Sequence, residues 1–437
     1  MLRFLYTVLF LWFVLPPLSG YCSHLPLKAG AAKIKITPMI PIPLSGFYVR
    51  QGIFKGVHDD LYARAVSFES EGKEALIISV DTCILSDTFW DDLTARISKK
   101  YPIARDHIFL CASHTHGGPA LYEPPEKKDL DTSWLEKNPY LEKQKAYTEE
   151  IKEKMVQVVG DARKKLEPAR IGYGSGSAAI GVNRRARTVK GDIWLGVNPE
   201  GPVDRELRVV RIDSVNGKTL ALMFNIGCHG TSMISESITG DWCGLTEQFV
   251  EKVWGNEVVA CFLPGAGGDV NPIYEEKTVF DARTGGADVL AAIAGEETIR
   301  VAKGITCKTE GPLEASQRVV TLPGKKYLGL LGFDPKYDEL AKDTSPVPPS
   351  TLKMSALHVG NIVFAASSGE IFSEIGMELK KKSPYSQMLF MGLTNGYSGY
   401  VLTDKELGRG YEYNATVIKS GGQAAVVNTL LDMMGEW

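Results

Sequence analysis

The sequence predicts an α/β (α+β) fold in which mixed β-sheets are flanked by helices. Two observations carry that expectation. Short apolar runs of strand length alternate with stretches of helical spacing, and at least five of those runs end in a Gly- or Pro-punctuated turn bearing polar or acidic side chains. In such folds a rigid strand presents chemistry from the turn that follows it, so the recurring junctions place a site along one rim.

Taken in order, Ala31–Thr37 reads as the opening strand, and Pro38, Pro41 and Pro43 then impose irregular chain. A Gly-punctuated loop, Gly46–Gly56, leads to His58, Asp59 and Asp60, which read more readily as a solvated turn than as a metal site. Leu61–Phe68 and Ala75–Val80 are strand-like runs joined by a polar turn, with Asp81 closing the second. Asp87–Lys100 has helical spacing through Phe89, Leu93 and Ile97. Ile108–Ala112 is an apolar strand running into S-H-T-H-G-G-P, with His114 and His116. In extended chain, residues two apart face the same side, so both rings can enter one pocket. The charged stretch Ala120–Tyr147 reads as a surface loop or lid, and Thr148–Leu166 as an amphipathic helix with Ile151, Met155 and Val159 on one face.

A strand around Ile171 precedes G-V-N-R-R, Gly181–Arg185. Leu207–Asp213 and Thr219–Ile226 form a hairpin around Asn216-Gly217, and its second arm ends in G-C-H-G-T-S, delivering His229. Val258–Leu263 ends in P-G-A-G-G-D-V-N-P, which lacks the G-K-[ST] of a phosphate loop. Gly285–Lys303 is helical. A second hairpin turns at Gly360-Asn361, its outgoing strand Ile362–Ala366 ends in S-S-G-E at Glu370, and helix Phe372–Lys382 follows. Gln387–Leu393 leads to N-G-Y-S-G-Y, Asn395–Tyr400.

Composition bounds the function. A chain of 437 residues with 44% hydrophobic and 23% charged content supports a sizeable core, and a net charge of −3 gives no basic footprint for nucleic acid. Arg3, the apolar run Phe4–Leu15 and the small residues Ser19 and Gly20 form a secretory signal pattern, giving residues 1–23 as signal peptide and 24–437 as one domain. The run is short for a membrane span, and an uncleaved anchor is the alternative. The expectation is a secreted or periplasmic protein. Its seven cysteines are an odd, scattered set without C-x-x-C; several sit in strand-like runs as small hydrophobes, and a bridge or two remains open.

A zinc site needs three or four N, O or S donors. His114, His116, His229, Glu370 and several tyrosines sit at strand ends, although no H-E-x-x-H signature is present. There is no G-x-S-x-G elbow for a serine hydrolase.

Read together, these stretches resemble the neutral (non-lysosomal) ceramidase family. The matching motifs are S-H-T-H-G-G-P at Ser113–Pro119, N-R at Asn183–Arg184, C-H-G-T-S-M at Cys228–Met233, G-D-V-N-P at Gly268–Pro272, S-G-E at Ser368–Glu370, N-G-Y-S-G-Y-V-L-T at Asn395–Thr403, and Y-E at Tyr411–Glu412. The resemblance implies a Zn2+-dependent amidase that splits ceramide into sphingosine and fatty acid. It implies zinc ligands His114, His229, Glu370 and Tyr400, with Tyr397 as the alternative tyrosine. His116 becomes the proton-transfer residue, Arg184 and Tyr411 polarise the amide, and Asp241, Asp269, Asn271 and Tyr397 surround ligands and substrate. Asn271 stands where some relatives carry a serine, which excludes a serine acyl-enzyme at that point. The chain ends soon after Tyr411, so a catalytic domain without the family's C-terminal immunoglobulin-like domain is expected. The expected substrate is ceramide or a related N-acyl lipid, reached by peripheral membrane contact. A small soluble amide or ester, or a non-catalytic binding role, are the competing readings.

Overall fold

A computed structural model of the chain describes residues 27–47, 50, 52–122, 138–275, 285–308, 311–328 and 345–437. The proposed signal (1–23) and most of the expected lid (123–137) lie outside the described residues.

The main sheet has eight strands, in the order Val259–Pro264, Thr219–Ile226, Glu206–Ser214, Glu167–Ser177, Lys28–Lys35, Tyr62–Ser70, Lys73–Val80 and Ile108–Ala112. Its neighbours are antiparallel except at the two ends, where Lys73–Val80 pairs parallel with Ile108–Ala112 and Thr219–Ile226 with Val259–Pro264. These parallel strands are continuous apolar runs, as burial on both faces demands. A second sheet of four strands runs Leu313–Leu322, Ser350–Val359, Ile362–Ser367 and Met388–Met391, with its last pair also parallel. Both expected hairpins form. Their turns contain Gly217 and Gly360 at φ of 88° and 64°, a left-handed conformation that glycine adopts without steric penalty.

The two sheets pack face to face through Phe109, Cys111, Met223 and Cys261 on one side and Leu357, Phe364 and Leu389 on the other. Helices Asp87–Lys100 and Leu141–Lys164 cover part of the main sheet's outer face, and Asp241–Trp254 and Gly285–Gly304 cover the rest. Helices Ser373–Lys382 and Gly422–Met434 cover the second sheet. The order is therefore helix, sheet, sheet, helix.

The structure extends or adds several elements. The helix expected from Thr148 begins at Leu141, because the uncharged Gln144 and Tyr147 continue its buried face among charged neighbours. Helix Asp241–Trp254, strand Leu313–Leu322 and helix Gly422–Met434 carried no expectation. The six described cysteines, 83, 111, 228, 243, 261 and 307, are all unpaired thiols. His58 and Asp59 form a structural turn: their side chains pair at 2.8 Å, and Asp59 accepts from Thr239 Oγ1 (2.5 Å) and from the Gly240 amide (2.8 Å), just ahead of helix Asp241–Trp254. Among the described residues, no helix is long and apolar enough to cross a membrane.

Candidate metal centre

The parallel pairs of both sheets end on one rim, and the turns beyond them carry the predicted residues. Ile108–Ala112 leads to His114 and His116, Thr219–Ile226 to His229, Val259–Pro264 to Asp269 and Asn271, Ile362–Ser367 to Glu370, and Met388–Met391 to Tyr397 and Tyr400. Glu370 and Tyr400 then face each other on a short parallel pair. His114 has φ of 62°, unusual for a residue with a Cβ, and its backbone N–H donates a hydrogen bond to Thr82 O (2.9 Å).

The donor atoms converge. Glu370 Oε2 lies 2.9 Å from His229 Nε2 and 3.4 Å from His114 Nε2. His114 Nδ1 donates to Cys83 O (2.7 Å), and His229 Nδ1 faces the carbonyls of Gly267 and Val270 (2.9 and 3.0 Å). Binding of Nδ1–H to a carbonyl turns the Nε2 lone pair inward. Lone pairs of two imidazoles and a carboxylate thus point at one another inside the protein, an arrangement that suits a cation between them. The three ligand atoms lie within 4.8 Å of one another and all three residues are buried. Two nitrogens and a carboxylate oxygen, with backbone carbonyls fixing the rings, fit a divalent transition metal.

The electrostatics agree. Burial resists ionisation of Glu370, but His114 and His229 outweigh it and hold its carboxyl well below the usual range. Burial and the neighbouring Arg184 push His229 down to about 4, so its imidazole is neutral. Burial opposes charge on His114, yet Glu370 draws its pKa well upward: positive charge is attracted to this point. His116 is held well below its ordinary value by burial and then by His114 and His229. Its Nε2 lies 3.4 Å from His114 Nε2, its ring meets Phe47 edge-on, and its buried Nδ1 has no partner.

Arg184 forms one wall. Its Nη1 contacts His229 Nε2 (3.0 Å) and Asn271 Oδ1 (3.1 Å), and its Nε donates to Glu412 Oε1 (2.9 Å). The guanidinium sits 5.4 Å from the Tyr400 ring centre and 5.6 Å from that of Tyr411, while its buried Nη2 is left without a partner. Tyr397 donates its hydroxyl to Glu370 Oε1 at 2.8 Å. Burial raises both Tyr397 and Tyr400 well above their ordinary pKa, and raises Tyr411 to about 12.

Asp269 and Asp241 act on backbone. Asp269 accepts from the Ser373 amide (2.8 Å) and hydroxyl (2.9 Å) and from Asn183 Nδ2 (3.0 Å), tying the Glu370 and Arg184 segments together; burial pushes its pKa up to about 6. Asp241, itself at φ 55°, accepts from the amides of Met233 (3.0 Å) and Trp242 (2.7 Å) and so fixes the turn after His229. Sequence reasoning assigned no role to Glu412, Cys83 or Arg50. Glu412 could have been found beside Tyr411 in the Y-E motif. Arg50, which donates to His116 O and to Ser235 O (3.1 Å), sits in a loop with no motif of its own.

A four-layer α/β scaffold thus carries on its strand-end rim a buried cluster of two histidines and a glutamate that could hold a metal ion. The chain belongs to the neutral/alkaline non-lysosomal ceramidase family, whose N-terminal model matches residues 27–309. It is 25% identical to neutral ceramidase A of Dictyostelium discoideum over 274 residues, which is 55% of this chain and 35% of the relative. It is 24% identical to the neutral ceramidase of Pseudomonas aeruginosa over 289 residues, 62% of this chain and 41% of that one. The match therefore spans well under half the length of these relatives. The crystal structure of the Pseudomonas aeruginosa neutral ceramidase shares the fold, with a TM-score of 0.75 at 20% identity over 94% of this chain and 74% of that chain.

Proposed function

We propose that this protein is an exported zinc-dependent amidohydrolase that cleaves the N-acyl amide of ceramide or a related N-acyl lipid, giving a free amine and a fatty acid. The observation that carries the reading is the convergence of lone pairs from His114, His229 and Glu370 beside an unpartnered Arg184 Nη2. Family membership supports the amide as substrate. Tyr400 is the fourth ligand in this reading, supported by its place directly across from Glu370. When bound there, zinc supplies Lewis acidity, which polarises a carbonyl and brings the pKa of water toward ~7.

The chain's own groups do the rest. Arg184 Nη2 and the Tyr411 hydroxyl donate to the carbonyl oxygen as it gains negative charge. His116, kept neutral by its surroundings, takes a proton from the attacking water and returns it to the departing nitrogen. Buried walls exclude other water. A substrate of this kind resides in a bilayer, so the working enzyme makes peripheral membrane contact.

The test is hydrolysis of a fluorescent short-chain ceramide by the purified protein, before and after chelation and after zinc is restored. Fatty-acid release that chelator abolishes and zinc recovers is the expected result. Intact substrate with protein that holds one zinc would overturn the ceramide reading and direct the search to smaller amides and esters.

A further inference from the structure

We propose that Glu412 is a positioning residue, which acts by aiming the Arg184 guanidinium so that Nη2 alone faces the substrate; the inference rests on the amidase reading for its kinetic consequence. Glu412 is buried, and its two carboxylate oxygens are divided between two arginines. Oε1 accepts from Arg184 Nε at 2.9 Å, and Oε2 accepts from Arg185 Nη1. Arg184 Nη1 is fixed separately by Asn271 Oδ1 (3.1 Å), an acceptor that stays available when the Nε2 lone pair of His229 is turned to a metal. With Nε and Nη1 both held, the planar guanidinium has one orientation, and Nη2 is the donor left over.

Two features separate this from a general structural ion pair. Arg185 keeps its other partners without Glu412: Glu406 Oε2 (2.8 Å), Arg409 O (3.1 Å) and the ring of Phe372 (5.1 Å). Arg184, by contrast, is paired with no other carboxylate among the described residues. Glu412 also neighbours Tyr411 on the short helix Gly410–Ala415. One helix therefore presents Tyr411 and fixes Arg184, which sets the two carbonyl-polarising donors relative to each other. A carboxylate at the remote end of the guanidinium offsets its burial without consuming the reactive donor.

The experiment combines a double-mutant cycle with arginine NMR on the zinc-loaded protein. Glu412→Gln is expected to lower kcat on the fluorescent N-acyl substrate roughly 10- to 100-fold, the range for loss of one hydrogen bond to a charged group, with zinc content and KM little changed. In the Arg184→Ala background the same substitution should have almost no further effect on kcat. The Arg184 Nε–H resonance, assigned by its loss in Arg184→Ala, should be protected from exchange in the parent protein and lose that protection in Glu412→Gln. Glu412→Asp, which keeps the charge, should lie between the two and serves as the variant if Glu412→Gln does not fold. Additive losses in the cycle, or an unchanged Nε–H signal, overturn the proposal. A parent protein without turnover whose Nε–H protection still depends on Glu412 upholds the positioning and overturns the substrate reading instead.

Discussion

The rim cluster of His114, His229 and Glu370 and the cluster around Arg64 are both buried, both charged and both attached to the main sheet. Around Arg64 every carboxylate meets a donor. Arg64 Nη1 lies 2.6 Å from Glu247 and 3.1 Å from Asp81, and Lys33 reaches Glu251 at 2.6 Å. The amides of Tyr62, Phe262 and Ala260 donate to Asp81, Glu247 and Glu251 at 2.8, 2.7 and 3.2 Å, so the cluster ties helix Asp241–Trp254 to the strands beneath it. On the rim the relation differs: the Nε2 atoms of His114 and His229 and a carboxylate oxygen of Glu370 converge on one point, whereas an unpartnered guanidinium nitrogen is common to both clusters, Arg184 Nη2 on the rim and Arg64 Nη2 in the other. Burial of charge is common to both clusters, so burial does not mark the functional one. The direction of lone pairs does.

Substitutions should separate the two clusters by what is lost. His114→Ala should abolish both activity and bound metal while the protein stays folded, read by elemental analysis beside a melting curve. Arg64→Ala should do the opposite and cost about 3–5 kcal/mol of stability by leaving buried carboxylates without their cation. Metal content should follow folding alone in that variant, and a stable Arg64→Ala protein lacking metal would erase the distinction. Within the rim, His116→Ala should retain zinc and lose roughly 10²–10⁴ in rate, as removal of a general base does. Equal loss of metal from the two histidine variants would show that His116 is a ligand. Tyr400→Phe should weaken zinc binding more than Tyr397→Phe, measured by competition with a chromogenic chelator; the reverse order would transfer the ligand role to Tyr397.

The contrast also explains what could be read in advance. His114, His229 and Glu370 each follow an apolar strand and a glycine-bearing or polar turn, a local pattern that survives in one dimension. The helices, hairpins and second-sheet strands with clear periodicity were legible for the same reason. Arg64 sits inside a strand-like run with nothing beside it to announce three carboxylates, two of which lie on helix Asp241–Trp254. That helix escaped notice because its start is specified by tertiary contacts: Asp241 holds a positive φ, and Asp59 caps the preceding turn from far away in sequence. Gln144 and Tyr147 hid the first turns of Leu141–Lys164 by being buried without being aliphatic. Arg50 reaches His116 only through the folded loop. Long-range partners, not propensities, decide these cases.

The smallest expected effect concerns proton uptake in the closed cluster. Burial pushes Glu247 well above the ordinary carboxyl pKa of 4.5; Arg64 and the Phe262 amide oppose the shift, and Asp81 and Glu251 reinforce it. The folded protein then holds a proton on Glu247 at pH values where the unfolded chain has released it. Stability from this group is fully present below pH ~4.5 and falls as pH rises toward the folded-state pKa, with a ceiling of about 1.4 kcal/mol per pH unit for one proton. Glu247→Gln places a neutral, hydrogen-bonding isostere where the protonated acid stands. It should be near neutral for stability at pH 5 and stabilising at pH 8, seen as a flatter dependence of urea unfolding free energy on pH. A slope identical to that of the parent protein would mean that Glu247 is ionised in the fold and that Arg64 alone outweighs its burial, and the closed cluster would then be a permanently charged one.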